Sequence, residues 1–324
     1  MQTTHTIQPE DFLHEETRNG YFVSKEMKKL WAVQMELLTK LLEVCEKHNL
    51  KIWAEGGTLL GTIREKGYIP WDDDIDMAML RPDYNKLIAI SQEEFKSPFF
   101  FQCGYTEINY PRGHAQIRKD GTTAIIASDV GQKFHQGVFI DIFVYDSIPN
   151  NDAEIDLLKN KVEDDLKELK TYCYKPYSIY NIKENLRLLK LKHKVNKIGF
   201  KQLFANFDKD LSSYDQTNCK NVSCIGFKFD FKHYLRNIHV FDQTLYMPFE
   251  YIMIPVPVGY DNILSTQYGD YMKPVKAPTC HGGFLVLDTE KSYTEYLPKL
   301  RRDRKIKSWK YRIHRLQKLF FHNK

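Results

Sequence analysis

The sequence predicts an α+β protein: a mixed sheet flanked by helices, with a helical insertion and a basic helix at the C-terminus. Three observations predict it. Apolar residues recur at helical spacing from Ser24 to about His48, and Lys, Glu and Leu do so from Asn150 to about Lys220. Short runs such as "DIDMAML", "FFFQ", "TTAIIA" and "GVFIDIFVY" have the length and apolar character of strands. Pro248, Pro255, Pro257, Pro274 and Pro278 then break the last third into strands and loops.

Residues 1–23 read as a loosely structured lead-in. Ser24 is placed to cap a helix whose single face carries Met27, Leu30, Trp31, Leu38, Leu41, Leu42 and Cys45. "LKIWAE" reads as a short strand, and "GTLLGTIREKG" as a helix that starts at a glycine pair and ends at Gly67. In "DIDMAML" the alternation puts Asp74 and Asp76 on one face of a strand. Pro82 and Asp83 open a second helix, and "FFFQ", "GHAQIRK", "TTAIIA" and "GVFIDIFVY" follow as strands, the last with Phe139, Asp141 and Phe143 on one face. The chain divides into a core with its N-terminal helix (1–149), the insertion (150–220), a return to the core (221–298) and the basic helix (299–324).

The 324 residues suffice for a real core, and 42% hydrophobic with 27% charged residues is a soluble, globular balance. Aromatics at 14% are high and gather near Pro and Gly in the last third, which reads as a groove or packed loops. Cys45, Cys103, Cys173, Cys219, Cys224 and Cys280 are scattered without C-x2-C spacing, which argues against a zinc site. The polar N-terminus is unlike a signal peptide, and no apolar run approaches the ~20 residues that span a bilayer. These features predict a cytoplasmic protein with reduced thiols. The net charge of +5 is uneven: residues 299–324 carry eleven Lys or Arg against Asp303, leaving the remainder acidic. An acidic body without a recognised binding module speaks against nucleic acid.

The acids carry the chemistry. Asp72, Asp73, Asp74 and Asp76 fall within five residues, between Trp71 and "MAML". Such crowding needs a cation, and carboxylates at D-x-D spacing on one strand can share magnesium, which takes oxygen ligands and substrate phosphates. Asp141 sits among Ile and Phe in a strand, where an acid is costly unless paired or metal-bound. A third carboxylate there would complete a clamp for phosphoryl transfer. Gly56, Gly57 and Thr58 after a strand, opening a helix, present backbone N–H groups to a diphosphate.

A glycine pair, a short helix and then D-h-D on a strand is the pattern of the nucleotidyltransferase fold. "GGTLLGTIREKGYIPWDDDIDMAM" resembles the signature of the LicD family, which includes the fukutin-related proteins. "RPDYNKL", "QIRKDGTT", "GVFIDIFVYD" and "LSTQYGDYMKP" resemble further family segments, so matches run from about Trp53 to Asp146 and from about Pro248 to His281. The resemblance implies a nucleotidyltransferase-like core and transfer of a phospho-alcohol from a CDP-activated donor to a glycan hydroxyl, with release of CMP. It implies Asp74, Asp76 and Asp141 as ligands for one or two Mg2+ (or Mn2+), and Asp72 as a further active-site acid. No match to the zinc loop of vertebrate members is found, which favours a bacterial type and hence phosphocholine, from CDP-choline. CDP-glycerol or CDP-ribitol is the alternative donor. An inactive membrane-associated scaffold is the alternative from another class, against which the intact acids argue.

Arg118 is a candidate diphosphate clamp. A choline headgroup needs ring faces, for which Trp71, Tyr268 and Tyr271 are candidates, with Tyr105 and Tyr110 behind them. His281 stands where the family carries a basic residue near the site. In the tail, Ile306, Trp309, Ile313, Leu316 and Phe320 form one apolar stripe among Lys and Arg, suited to an anionic membrane surface and a peripheral position on the cytoplasmic membrane. Docking on the protein body fits the same stripe.

Overall fold

The computed structural model describes residues 8–177, 181–215, 217, 219–276 and 283–306. A hairpin of β1 (Glu16–Arg18) and β2 (Tyr21–Val23) leads into α1 (Lys25–Lys47). Ser24 caps that helix, its Oγ accepting the N–H of Met27 at 3.2 Å. The apolar stripe buries Leu30, Trp31, Leu38, Leu41 and Cys45. The same helix also buries Lys28 and Gln34, which the apolar pattern does not explain.

The unit around the glycine pair is β3 (Trp53–Ala54), α2 (Gly56–Arg64) and β4 (Asp76–Leu80). The strand therefore starts at Asp76, two residues later than the alternation suggests, and Asp74 lies in the preceding turn. Pro82 enters the first turn of α3 (Arg81–Glu94), where its missing N–H has no helical partner to lose. Then come β5 (Phe99–Gln102), β6 (Ala115–Lys119), β7 (Thr123–Ile125) and β8 (Phe139–Ile148).

Every residue of β8 is buried, as suits the centre of a sheet. It runs parallel to β4 on one side and antiparallel to β6 on the other. Its far end pairs with β9 (Asn221–Ser223), which pairs in turn with β10 (Arg236–Asn237). The sheet order is β10-β9-β8-β4-β3, with β5 and β6 joined along β8. One parallel pair in an otherwise antiparallel sheet makes it mixed, as predicted. Two small pairs lie outside it: β11 (Thr244–Phe249) with β12 (Ile252–Pro257), and β7 with β13 (Val286–Asp288).

Residues expected to form the insertion contain α4 (Asp152–Tyr174), α5 (Ile182–Ile198) and α6 (Phe200–Leu211). Leu158, Val162, Leu169, Phe204 and Phe207 gather there in an apolar cluster of their own, joined by Ile148 of β8 and Ile225. A buried guanidinium ties this cluster to the sheet. Arg81 donates to both carboxylate oxygens of Asp146 on β8, at 2.5 and 2.8 Å, and to Asp208 on α6 at 2.8 Å. Two short helices, α7 (Phe231–Tyr234) and α8 (Tyr260–Tyr268), complete the return to the core.

Residues 293–306 are helical. Leu297 and Leu300 pack on Ile125 and Val130, and Arg301 Nε donates to the Val130 carbonyl at 3.1 Å. The first turns of the basic helix thus rest on the body. Trp309, Ile313, Leu316 and Phe320 of the stripe lie outside the described residues. Among the described residues no helix is long and apolar enough to cross a membrane.

A Cβ on Gly61 of α2 would stand 2.4 Å from the Gly67 carbonyl oxygen, so two backbone segments meet where only glycine fits. Gly61→Ala is expected to destabilise the fold by about 1–2 kcal/mol, overpacking outweighing the gain in helix propensity; a lowered urea midpoint with unchanged slope is the check. His135 supplies a pH dependence. Its Nδ1 accepts the Gly137 N–H at 3.1 Å while Nε2 faces Asp120 at 2.9 Å, a pattern that suits the neutral ring with its proton on Nε2. Burial, with the Arg118 charge nearby, holds the ring down to about 4. As pH falls below about 6.5 the unfolded chain takes up this proton and the native ring does not, so stability falls until about pH 4. The contribution is about 2–3 kcal/mol, and stability curves of His135→Gln should lack that part of the slope between pH 6.5 and 4.

Candidate active site

The glycine pair, the acidic turn and β8 meet at one place. Asp76 on β4 and Asp141 on β8 are register partners in the parallel pair, so their side chains leave the same face of the sheet. Gln116 on β6 is the register partner of Asp141 on its other side. At the opposite end of this row, a Cβ on Gly56 would lie 3.2 Å from Asp76 Oδ2 and 4.0 Å from the Tyr268 hydroxyl. A Cβ on Gly57 would lie 2.5 Å from Asp72 Oδ2. The glycines therefore let the start of α2 approach the carboxylates, and Gly56 also adopts a positive φ of 53°.

The acidic turn is held from behind through its backbone. Trp31 Nε1 donates to the Asp72 carbonyl at 2.9 Å, and Gln34 Nε2 to that of Asp73 at 2.8 Å. This is why α1 buries an amide. Thr58 directs its hydroxyl at the N–H of Asp76, which donates to it at 2.8 Å. The Thr58 hydroxyl thus positions Asp76, a role apart from the backbone N–H that the sequence reading assigns to this residue.

Asp72, Asp73 and Asp74 each bring a carboxylate oxygen within 4.8 Å of the others. Burial, then the charge of Asp74 and that of Asp73, push Asp72 up to about 8. Such a turn is uncomfortable with protein alone, and a divalent cation among these oxygens would relieve it; the donor set is all hard oxygen, as magnesium or manganese prefers. The residues present therefore fit a metal, with the closest cluster one turn earlier than the Asp74, Asp76 and Asp141 set that the sequence singles out.

Asp141 is 3% exposed and is fixed by two neighbours. Gln116 Nε2 donates to its Oδ1 at 2.7 Å, and His114 Nε2 stands 3.2 Å from the same oxygen. The Gln116 amide has one orientation, because its carbonyl oxygen accepts from Arg118 at 2.5 Å and Arg112 at 3.1 Å. Arg118 differs from its expected role as a diphosphate clamp. It is 2% exposed, and it also donates to Gln102 and the Gly137 carbonyl. Burial, with Arg112 close by, lowers its guanidinium to about 10. It supports Asp141 through Gln116 and has no face turned to a ligand.

Of the three rings nominated for a headgroup, Tyr268 lies at the site, 41% exposed at the end of α8. Gly269 ends that helix with a φ of 68°, a conformation that a side chain would strain. Trp71 packs edge-on to Tyr21 with centroids 5.8 Å apart. Tyr271 gives its hydroxyl to Asp261 at 2.6 Å. Tyr105 donates to Asp208 at 2.8 Å and Tyr110 is fully buried, so neither is a free ring face. His281 lies outside the described residues.

Sequence reasoning missed His114, Gln116 and Glu55. The first two, with Arg118, alternate along "GHAQIRK", and period-two spacing could have put all three on one face beside Asp141. Glu55, just before the glycine pair, is 4% exposed; it accepts from the Tyr145 hydroxyl at 2.9 Å and lies 3.9 Å from Arg236. Burial raises its carboxyl above the usual range despite Arg236. Phe227, 42% exposed, stands 5.0 Å from Phe143, which in turn stands 4.9 Å from His114. These rings come from distant segments, which no local pattern joins.

Gly57→Ala is expected to displace the Asp72 carboxylate by its Cβ, a movable side chain, and so to leave stability nearly unchanged. A misplacement of about 1 Å at a reacting centre can lower turnover by about a hundredfold; kinetics beside a denaturation curve would separate the two effects.

Comparison with known proteins agrees with this geometry. Residues 49–163 match the family described as LicD/FKTN/FKRP, nucleotidyltransferase domain. The lipopolysaccharide cholinephosphotransferase LicD of Haemophilus influenzae is 29% identical over 246 residues, 74% of this chain and 89% of that protein. Uncharacterized proteins of Rickettsia prowazekii and Rickettsia typhi are 33% and 44% identical over 116 and 70 residues, the chain covering 40% and 21% of their lengths. Residues 49–163 carry the nucleotidyltransferase domain of the LicD/FKTN/FKRP family.

Proposed function

We propose that the protein transfers a phospho-alcohol, phosphocholine from CDP-choline in the first instance, to a hydroxyl of a cell-surface glycan, releasing CMP. The observation that carries the reading is the row Gln116–Asp141–Asp76 ending at the glycine-opened helix, with Asp72 beside it. The likeness to the cholinephosphotransferase of Haemophilus influenzae supports choline as the alcohol. CDP-glycerol and CDP-ribitol remain the alternatives within the same chemistry.

In this reading Asp74, Asp76 and Asp141 hold one or two magnesium ions, and Asp72 joins them at the edge of the donor site. Bound there, the metal neutralises charge on the diphosphate as CMP departs. The N-terminus of α2 takes donor phosphate oxygens on the backbone N–H groups at Gly56 and Gly57. The acceptor oxygen bonds to the phosphorus that bears the alcohol. The bond from that phosphorus to the bridging oxygen breaks, and CMP leaves with the electron pair. The hydroxyl proton passes to a carboxylate of the cluster, Asp141 or Asp72. Gln116 and His114 keep Asp141 aimed throughout, because both meet its Oδ1. Tyr268 offers a ring face to a quaternary ammonium, which carries no N–H donors and must be selected by shape and cation–π attraction.

Incubation of a model glycan with CDP-choline, CDP-glycerol and CDP-ribitol plus magnesium tests the proposal. CMP release with a gain of phosphocholine mass is expected; pyrophosphate release from a nucleoside triphosphate would mean nucleotidyl transfer instead. Asp76→Asn and Asp141→Asn should each lower kcat/KM by about a thousandfold while the fold survives, by analogy with the loss of an electrostatic contact in a transition state. Magnesium should also raise the melting temperature of the wild type and not that of Asp76→Asn. Equal turnover and equal shifts in the variant would remove Asp76 from the metal site.

A further inference from the structure

A cavity of about 470 Å³ lies beside the carboxylate row, on its β6 side. Its walls come from segments that are far apart in the chain. Arg112 and His114 precede β6, Lys170 and Tyr174 belong to α4, Phe227 follows β9, and Arg304 belongs to the C-terminal helix. Three side chains on these walls carry positive charge, and among the described residues no carboxylate lines the cavity. Asp129 lies behind Arg112, accepting from it at 2.7 Å. Lys170 is held below the ordinary lysine range by burial and by the charge of Arg112, so the two cations feel one another across the space.

The cavity meets the carboxylate row at His114, which lines it and is 8% exposed. Its Nε2 faces Asp141, and its Nδ1 has no hydrogen-bond partner among the described residues. With the proton on Nε2, toward the carboxylate, Nδ1 is a lone-pair acceptor that suits a hydroxyl group. The sheet fixes which substrate comes from this side. Across the row the order is β6, β8, β4 and then the start of α2. The donor phosphates belong at the α2 end and this cavity stands at the other, with Asp141 between them. An in-line displacement needs the attacking hydroxyl opposite the leaving group.

We propose that this cavity is the acceptor subsite, and that it takes a sugar bearing a phosphate group, with a hydroxyl toward His114 and the phosphate toward Lys170 and Arg304. The assignment of sides rests on the transfer reaction proposed above; the affinity for a phosphorylated sugar does not. The insertion then has a task, since α4 contributes one wall and a cation. A phosphate suits the site because its oxygens accept from a guanidinium fork and an ammonium together.

The test uses titration calorimetry of the full chain at low ionic strength, in EDTA so that no metal recruits phosphate. Glucose 6-phosphate and glucose serve as the charged and neutral probes. The phosphorylated sugar is expected to bind at least about tenfold more tightly, about 1.4 kcal/mol. Lys170→Gln combined with Arg304→Gln, both outside the carboxylate cluster, should bring the ratio within about twofold while CDP affinity in magnesium stays unchanged. Equal binding of the two sugars, no binding of either, or a ratio that survives the double variant would overturn the proposal. So would a matching loss of CDP affinity, which would make the cavity a donor site. A failure of the transfer reading shows separately, as no CMP release from any CDP-alcohol.

Discussion

Crowded carboxylates in a partly dry site are the constraint around which the molecule is built. Asp72, Asp73 and Asp74 share a few ångströms, and Asp76 and Asp141 face the same way across neighbouring strands. Like charges so placed repel strongly when water is excluded. The protein answers from behind with donors. Trp31 and Gln34 hold the turn by its carbonyls, Thr58 holds Asp76 by its N–H, and Gln116 holds Asp141 by an oxygen. The nearest guanidiniums, Arg112 and Arg118, act on Asp141 through Gln116, which keeps their charge one side chain away. A row of hard oxygens so held is a place where a hard cation, and then a diphosphate, is welcome.

Much of the fold was legible because it rests on local signals. Ser24 announced α1, the glycine pair announced α2, and Pro82 announced α3. The apolar run around Asp141 announced the central strand, and the pairing of β4 with β8 follows the order expected of a mixed sheet. The start of β4 was misjudged because "DIDMAML" begins to alternate two residues before the strand does; alternation reports which side a residue would take and not whether its backbone joins the ladder. Gln34 was invisible because a buried amide on an apolar face has meaning only once the Asp73 carbonyl is beside it.

The site was legible in its acids and less so in its supports. Asp72, Asp76, Gly56 and Gly57 converge, since all lie within one continuous stretch whose geometry the turn and the glycines dictate. Arg118 was misread because a guanidinium near an active site looks the same in sequence whether its donors face a ligand or a glutamine. The hydroxyl of Thr58 has a second task that no local pattern shows, since it accepts from a backbone N–H eighteen residues on. Tyr268 was separable from Trp71 and Tyr271 only when α8 had been placed against the start of α2. The cavity walls, drawn from "PRGH", from α4, from Phe227 and from Arg304, had no signature, because they are an outcome of packing.

The buried Arg81 fork, shared between Asp146 on the central strand and Asp208 on α6, has a bearing on how such a chain can change through descent. Helices added to a domain are usually shed easily, since their loss exposes only a patch of surface. Here loss of α6 would strip a carboxylate from a guanidinium that is 6% exposed, leaving an ammonium-like charge half answered inside the sheet. Asp146, which burial already pushes up to about 6, would then face that cation alone. Lineages that shorten the helical segment would have to replace Arg81 in the same step or close to it. The helical segment and this one arginine are therefore coupled by charge, and a change in one is a demand on the other.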